Sequence, residues 1–94
     1  MNTDAKPIKP AIVIYTQIMC DYCAAARTLL REKGVEYQEI DITFDGDRRR
    51  EMFARSGRQT VPQIFVGDQH IGGYDDLASL DDQGELDKLL SLAE

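Results

Sequence analysis

Ala11-Ile12-Val13-Ile14-Tyr15-Thr16-Gln17-Ile18-Met19-Cys20-Asp21-Tyr22-Cys23 is the stretch that decides the fold. Residues 11–15 form a short, mostly β-branched apolar run, the pattern of a strand buried on both faces. Behind the cysteines, from Asp21 to Lys33, the alanines and the Leu29/Leu30 pair recur at helical spacing. Gly34 follows where a left-handed residue ends a helix, and Arg27 and Arg31 occupy the half in which the helix dipole favours cations. A Cys-x-x-Cys at such a strand-to-helix junction reads as a redox motif. Half a metal site, or two ordinary buried thiols, is the other reading, and the junction weighs against it.

The spacing assigns each thiol a part. Cys20 stands at the mouth of the helix and Cys23 three residues in, so the two share a face and their sulfurs can meet in a small disulfide ring. Cys20 sees unpaired backbone N–H groups and the positive end of the dipole, which lower a thiol below its free value of about 8.5. Cys20 is therefore the expected nucleophile, and Cys23 the resolving thiol.

Working outward, Val35 to Asp41 alternates apolar and polar residues, a second strand with one wet face. Asp47 is the expected N-cap of a helix running to about Arg55 and closed by Ser56-Gly57. Arg48, Arg49 and Arg50 read as its solvated face. Pro62 to Val66 reads as a third strand, with Gly67-Asp68 as a tight turn into a fourth over Gln69 to Ile71. After Gly72-Gly73, Asp75 or Asp76 is expected to cap a short helix to Leu80. A last helix carries Leu86, Leu89, Leu90 and Ala93 on one face. The order β-α-β-α-β-β-α-α predicts an α/β fold with strands one and two parallel and strands three and four as a hairpin. His70 has no partner at metal-ligand spacing and reads as structural or surface.

Composition bounds the rest. Ninety-four residues make one domain, expected over residues 10–94 behind a loose polar tail at residues 1–9. Apolar residues are 43% of the chain, enough for one core, and no apolar run nears the roughly 20 residues of a bilayer span. A formal charge of −6 argues against nucleic acid and anionic membranes as partners. Two cysteines, without a second ligand pair, build neither a disulfide framework nor a structural zinc site within the chain. A cytoplasmic protein is expected.

Tyr15-Thr16, Cys20-Asp21-Tyr22-Cys23, Thr60-Val61-Pro62-Gln63-Ile64-Phe65 and Gly72-Gly73-Tyr74-Asp75-Asp76-Leu77 together resemble a glutaredoxin of the small bacterial dithiol type. The resemblance runs from Ala11 to the C-terminus. It implies a thioredoxin fold, a four-stranded mixed sheet of order 2-1-3-4 flanked by helices, with Pro62 in the cis form facing the cysteines. It further implies a glutathione-dependent thiol–disulfide oxidoreductase, with Cys20 and Cys23 catalytic, acting on protein disulfides and glutathionylated proteins.

The glutathione site that the resemblance implies comprises Gln17, Tyr22, Gln59, Thr60, Val61, Pro62, Gly73, Tyr74, Asp75 and Asp76. The Val61 backbone would take the cysteinyl part as an added strand. The Gly73–Asp76 turn would hold the γ-glutamyl end, with Asp76 meeting its ammonium group. Two positions depart from the family pattern. Gln17 stands where many relatives carry lysine, leaving Arg58 or Gln59 to supply that contact, and Asp21 stands where proline is usual. Relatives without that proline include some that share a [2Fe–2S] cluster between two chains. A cluster-bridged dimer, with Cys20 as the ligand, is therefore the alternative to a monomeric reductase that binds no metal.

Overall fold

The computed structural model describes residues 10–91, so the expected tail over residues 1–9 and Ala93 lie outside it. Eight elements follow the expected order: β1 (Ile12–Thr16), α1 (Asp21–Glu32), β2 (Gln38–Asp41), α2 (Gly46–Ser56), β3 (Gln63–Val66), β4 (Gln69–Gly72), α3 (Tyr74–Asp82) and α4 (Glu85–Leu89). The sheet runs β2-β1-β3-β4, with β1 parallel to β2 and antiparallel to β3, and β3 antiparallel to β4. This is the thioredoxin-type mixed sheet that the resemblance implied.

Alternation along the strands splits the core in two. Ile12, Ile14, Ile64 and Val66 face one way and bury against Ala26 and Leu30 of α1, Leu77 of α3, and Leu86 and Leu90. Tyr15, Ile40 and Phe65 face the other way, packing with Ile42 against Met52 of α2. Hence β1 and β3 are apolar but for the buried Thr16 and Gln63, each face being covered by helix. Among the described residues, no helix is long and apolar enough to cross a membrane.

Several boundaries move. The second strand begins at Gln38 rather than Val35, because pairing with β1 starts only at Val13↔Gln38. Val35 and Tyr37 still pack on the core, from the loop. The N-cap of α2 is Asp45, not Asp47: the Asp45 side chain accepts from the Arg48 N–H at 3.1 Å. Asp47 lies within the first turn and pairs with Arg50, while Arg48 pairs with Glu51 at 2.9 Å. Gly57 closes the helix at φ +73°, its N–H donating to the Phe53 carbonyl at 2.7 Å. The N-cap position of α3 is Gly73, and Asp76, the third helical residue, reaches back to accept from the Gly73 N–H at 3.0 Å.

Candidate active site

Everything that faces the cysteines sits at one end of the sheet. β1 ends at Thr16, and the chain reaches α1 through Met19, which takes the left-handed conformation at φ +58° with its side chain 95% exposed. The Ile18 N–H donates to Thr43 Oγ1 at 2.8 Å, tying this loop to the segment after β2. Nothing in the sequence pointed to that tie, since the two residues meet only through the β1–β2 pairing.

Cys20 occupies the N-cap position of α1 and Cys23 lies in its first turn, both as free thiols. The Cys23 N–H donates to Cys20 Sγ at 3.1 Å, the place a Ser or Asp oxygen fills in an ordinary cap. Such a bond stabilises negative charge on sulfur. Cys23 is fully buried. Burial first, and its hydrogen bond with Cys20 second, push its thiol up to about 12, against the pull of a hydrogen bond from the Gln17 backbone. The pair is thus one reachable sulfur and one sheltered, protonated thiol.

Opposite Cys20 runs the loop Thr60-Val61-Pro62, with the Val61–Pro62 bond cis. Cys20 Sγ lies 3.9 Å from the Val61 carbonyl oxygen. From there a groove of about 210 Å³ extends along the surface, lined by Tyr22, Arg58, Thr60, Val61, Pro62, Gly73, Tyr74, Asp75 and Asp76. The rings of Tyr22 and Tyr74 stack beside it, with centroids 6.1 Å apart. At its far end, Arg58 Nη1 donates to Asp76 Oδ2 at 3.1 Å. The Gly73 N–H first, and Arg58 second, hold the Asp76 carboxyl below the usual carboxylate range.

Eight of the ten residues expected to bind glutathione line this groove. Gln17 and Gln59 are not in the lining, and Arg58, considered in the sequence only as a stand-in for lysine, is. Among the described residues, no three His, Cys, Asp or Glu side chains cluster as a metal site would. Gln63 is a residue the sequence reading passed over. It is wholly buried beneath the loop, and its amide Nε2 donates to the Thr60 carbonyl at 3.0 Å and to Thr60 Oγ1 at 3.2 Å.

A reachable sulfur on a helix N-cap, a sheltered partner thiol one turn in and a facing cis-proline loop fit a thioredoxin-fold thiol–disulfide oxidoreductase. Residues 12–71 match the glutaredoxin family model. Glutaredoxin 3 of Escherichia coli is 54% identical over 79 residues, 84% of this chain and 95% of that protein. A glutaredoxin of Pseudomonas aeruginosa is 48% identical, over 87% of this chain and 98% of its own. Among solved structures, the glutaredoxin of Brucella melitensis superposes with a TM-score of 0.79 at 49% identity, over 92% of this chain and 94% of that one. A buckwheat glutaredoxin in complex with glutathione gives 0.79 at 30% identity, over 87% and 77% of the two chains. The chain belongs to the glutaredoxin family.

Proposed function

We propose that this oxidoreductase works with glutathione, reducing glutathionylated proteins and protein disulfides through Cys20 and Cys23. The observation that carries the reading is the groove: it begins where the Val61 carbonyl stands 3.9 Å from Cys20 Sγ and ends on Asp76. A tripeptide with its thiol at Cys20 would lay its cysteinyl backbone along Val61 as an added strand. Its γ-glutamyl carboxylate would meet the free N–H groups at the start of α3, and its ammonium group the Asp76 carboxylate. The buckwheat protein solved with glutathione supports the same reading.

The steps follow from the two sulfurs. The Cys20 thiolate attacks the glutathione sulfur of a glutathionylated protein; that S–S bond breaks, and the protein thiolate leaves and takes up a proton. A second glutathione, as thiolate, attacks the sulfur of the glutathione held on Cys20. This releases glutathione disulfide and restores the Cys20 thiolate. With a protein disulfide, Cys20 forms a mixed disulfide with one substrate sulfur. Cys23 then loses its proton and attacks Cys20, leaving an intramolecular disulfide that two glutathiones reduce. The second reading, a dimer sharing a [2Fe–2S] cluster, would take one thiolate from each chain. Cys20 is the thiol of the pair that reaches the surface.

A glutathione-coupled assay tests the proposal. C20S is expected to lose all turnover, and C23S to keep deglutathionylation while losing reduction of protein disulfides. Equal loss of both activities in both variants would overturn this division. A visible absorption spectrum of protein purified without oxygen tests the cluster reading.

A further inference from the structure

We propose that His70 is a positioning residue for the Thr60–Val61–Pro62 loop, acting through the buried amide of Gln63. Alternation along β3 puts Gln63 and Phe65 on one sheet face, and the β3–β4 register sets His70 opposite Phe65. The His70 ring lies on the Phe65 ring at 4.9 Å between centroids, and the Arg55 guanidinium stands 4.1 Å from the Phe65 centroid. The imidazole is therefore held in one plane, with its Nε2 2.7 Å from Gln63 Oε1.

The chain of donors has only one consistent direction. Thr60 offers Gln63 a carbonyl oxygen, which can only accept, so the nearby end of the amide must be its NH2 group. Gln63 Oε1 is left facing His70, and His70 Nε2 must donate to it. Burial first, then the nearby charge of Arg58, holds the His70 ring below its ordinary value, so near neutrality the ring is uncharged with its proton on Nε2. Were that donor removed, a wholly buried amide oxygen would lose its partner, a cost the amide can escape only by turning. Turning would aim Oε1 at the Thr60 carbonyl and push the loop away. Thr60 adjoins Val61, whose backbone faces Cys20. His70 thus fixes Gln63, and Gln63 fixes the loop.

This inference rests on the reading that the Val61 backbone takes an extended substrate, and it predicts a change in KM more than in kcat. The test measures steady-state turnover of a glutathionylated peptide with glutathione and of a disulfide-bonded peptide with dithiothreitol. H70F, which keeps a ring against Phe65 but no donor, is expected to raise both KM values roughly three- to tenfold, the size of one lost hydrogen bond, with kcat within about twofold. H70Q, whose amide restores a donor, is expected to bring KM back to within about twofold of the parent. The rate of Cys20 alkylation by iodoacetamide, which needs no loop, stays unchanged. H70L carries the same expectation as H70F and serves if that variant fails to fold. Parental KM values in the folded apolar variant, or an H70Q no better than it, overturn the proposal. Absence of glutathione turnover in the parent would overturn the glutathione reading instead, while the dithiothreitol arm still reads the loop.

Discussion

Arg58 and Asp76 join the two walls of the groove: Arg58 comes from the chain before the cis-proline loop, Asp76 from the first turn of α3, and they meet at 3.1 Å. Both side chains are nearly half exposed, so water and salt screen the pair and it adds little to stability. Its interest is chemical. Asp76 Oδ2 accepts from Arg58 and from the Gly73 N–H together, and it faces the place proposed for the glutathione ammonium group. One carboxylate thereby orders the helix start and presents a negative charge to the groove.

The two duties separate by substitution. Asp76→Ala removes both and is expected to lower stability by about 1 kcal/mol, the worth of a helix-start bond. It is also expected to raise the glutathione concentration needed for half-maximal rate roughly ten- to a hundredfold, the range of a charge-assisted bond of about 1.5–3 kcal/mol. Asp76→Asn keeps an oxygen for the Gly73 N–H, so most of the stability is expected to return while glutathione use stays weak. Urea unfolding midpoints beside glutathione kinetics check both; recovery of glutathione use in the Asn variant would mean that charge is not what the site employs.

Gly72 guards the same carboxylate. It has φ +121°, a conformation open to glycine, and a Cβ built on it would run into the Asp76 carboxylate. Gly72→Ala is therefore expected to displace Asp76 and cost more than 1 kcal/mol, with strain and lost cap adding together. Its glutathione kinetics should match those of Asp76→Ala. A Gly72→Ala protein with parental kinetics would show that the carboxylate finds its place by another route.

Much of this arrangement is legible in the sequence because its signals are local. Residues 11–15 declare a buried strand, and Cys20 with Cys23 declares a helix start, within thirteen residues of each other. The hairpin follows from Gly67-Asp68 between two short runs. Caps are less legible: the sequence points to Asp47, and only the direction in which the chain leaves β2 aims Asp45, two residues earlier, at the Arg48 N–H. The β2 boundary fails for the same kind of reason, since Val35 and Tyr37 are apolar for the core but lie outside the pairing with β1. Least legible is the Thr60–Gln63–His70 chain. It depends on the β3–β4 register and on its shift between Ile64 and Phe65, neither of which composition or spacing reports.

On the sheet face that also carries Gln63 and Phe65, the Tyr15 hydroxyl is fully buried, donating to Glu51 and accepting from Arg55 Nη1 at 2.8 Å. The bond from Tyr15 first, then that from Arg48, holds the Glu51 carboxyl below its ordinary 4.5. A carboxyl depressed in the fold contributes stability that is present above its unfolded value and is lost as pH falls through its folded one. Tyr15→Phe is expected to cost about 1–2 kcal/mol near neutrality, with the gap to the parent closing as pH drops below 4.5. Urea unfolding at about pH 7 and about pH 3 checks it. A gap that persists in acid would assign the cost to packing rather than to the Glu51 charge.

Cys23 sets the opposite limb. Its thiol is raised from an ordinary 9.0 to about 12, chiefly by burial, so the unfolded chain gives up this proton first as pH rises. A group raised in the fold contributes stability that is present below its unfolded value and is lost on the way up to its folded one. The parent is therefore expected to lose stability between pH 9 and 12, and Cys23→Ser, which carries no thiol there to ionise, to lose less over the same window. The same shelter governs reactivity: in the native protein below pH 9, iodoacetamide is expected to label Cys20 and leave Cys23 untouched, with both labelled once urea unfolds the chain. Peptide mass spectrometry of the alkylated protein reads the two sites separately. Native labelling of Cys23 at the rate of Cys20 would place the resolving thiol at the surface. It would then have no need of the Cys20 mixed disulfide to be brought into reaction.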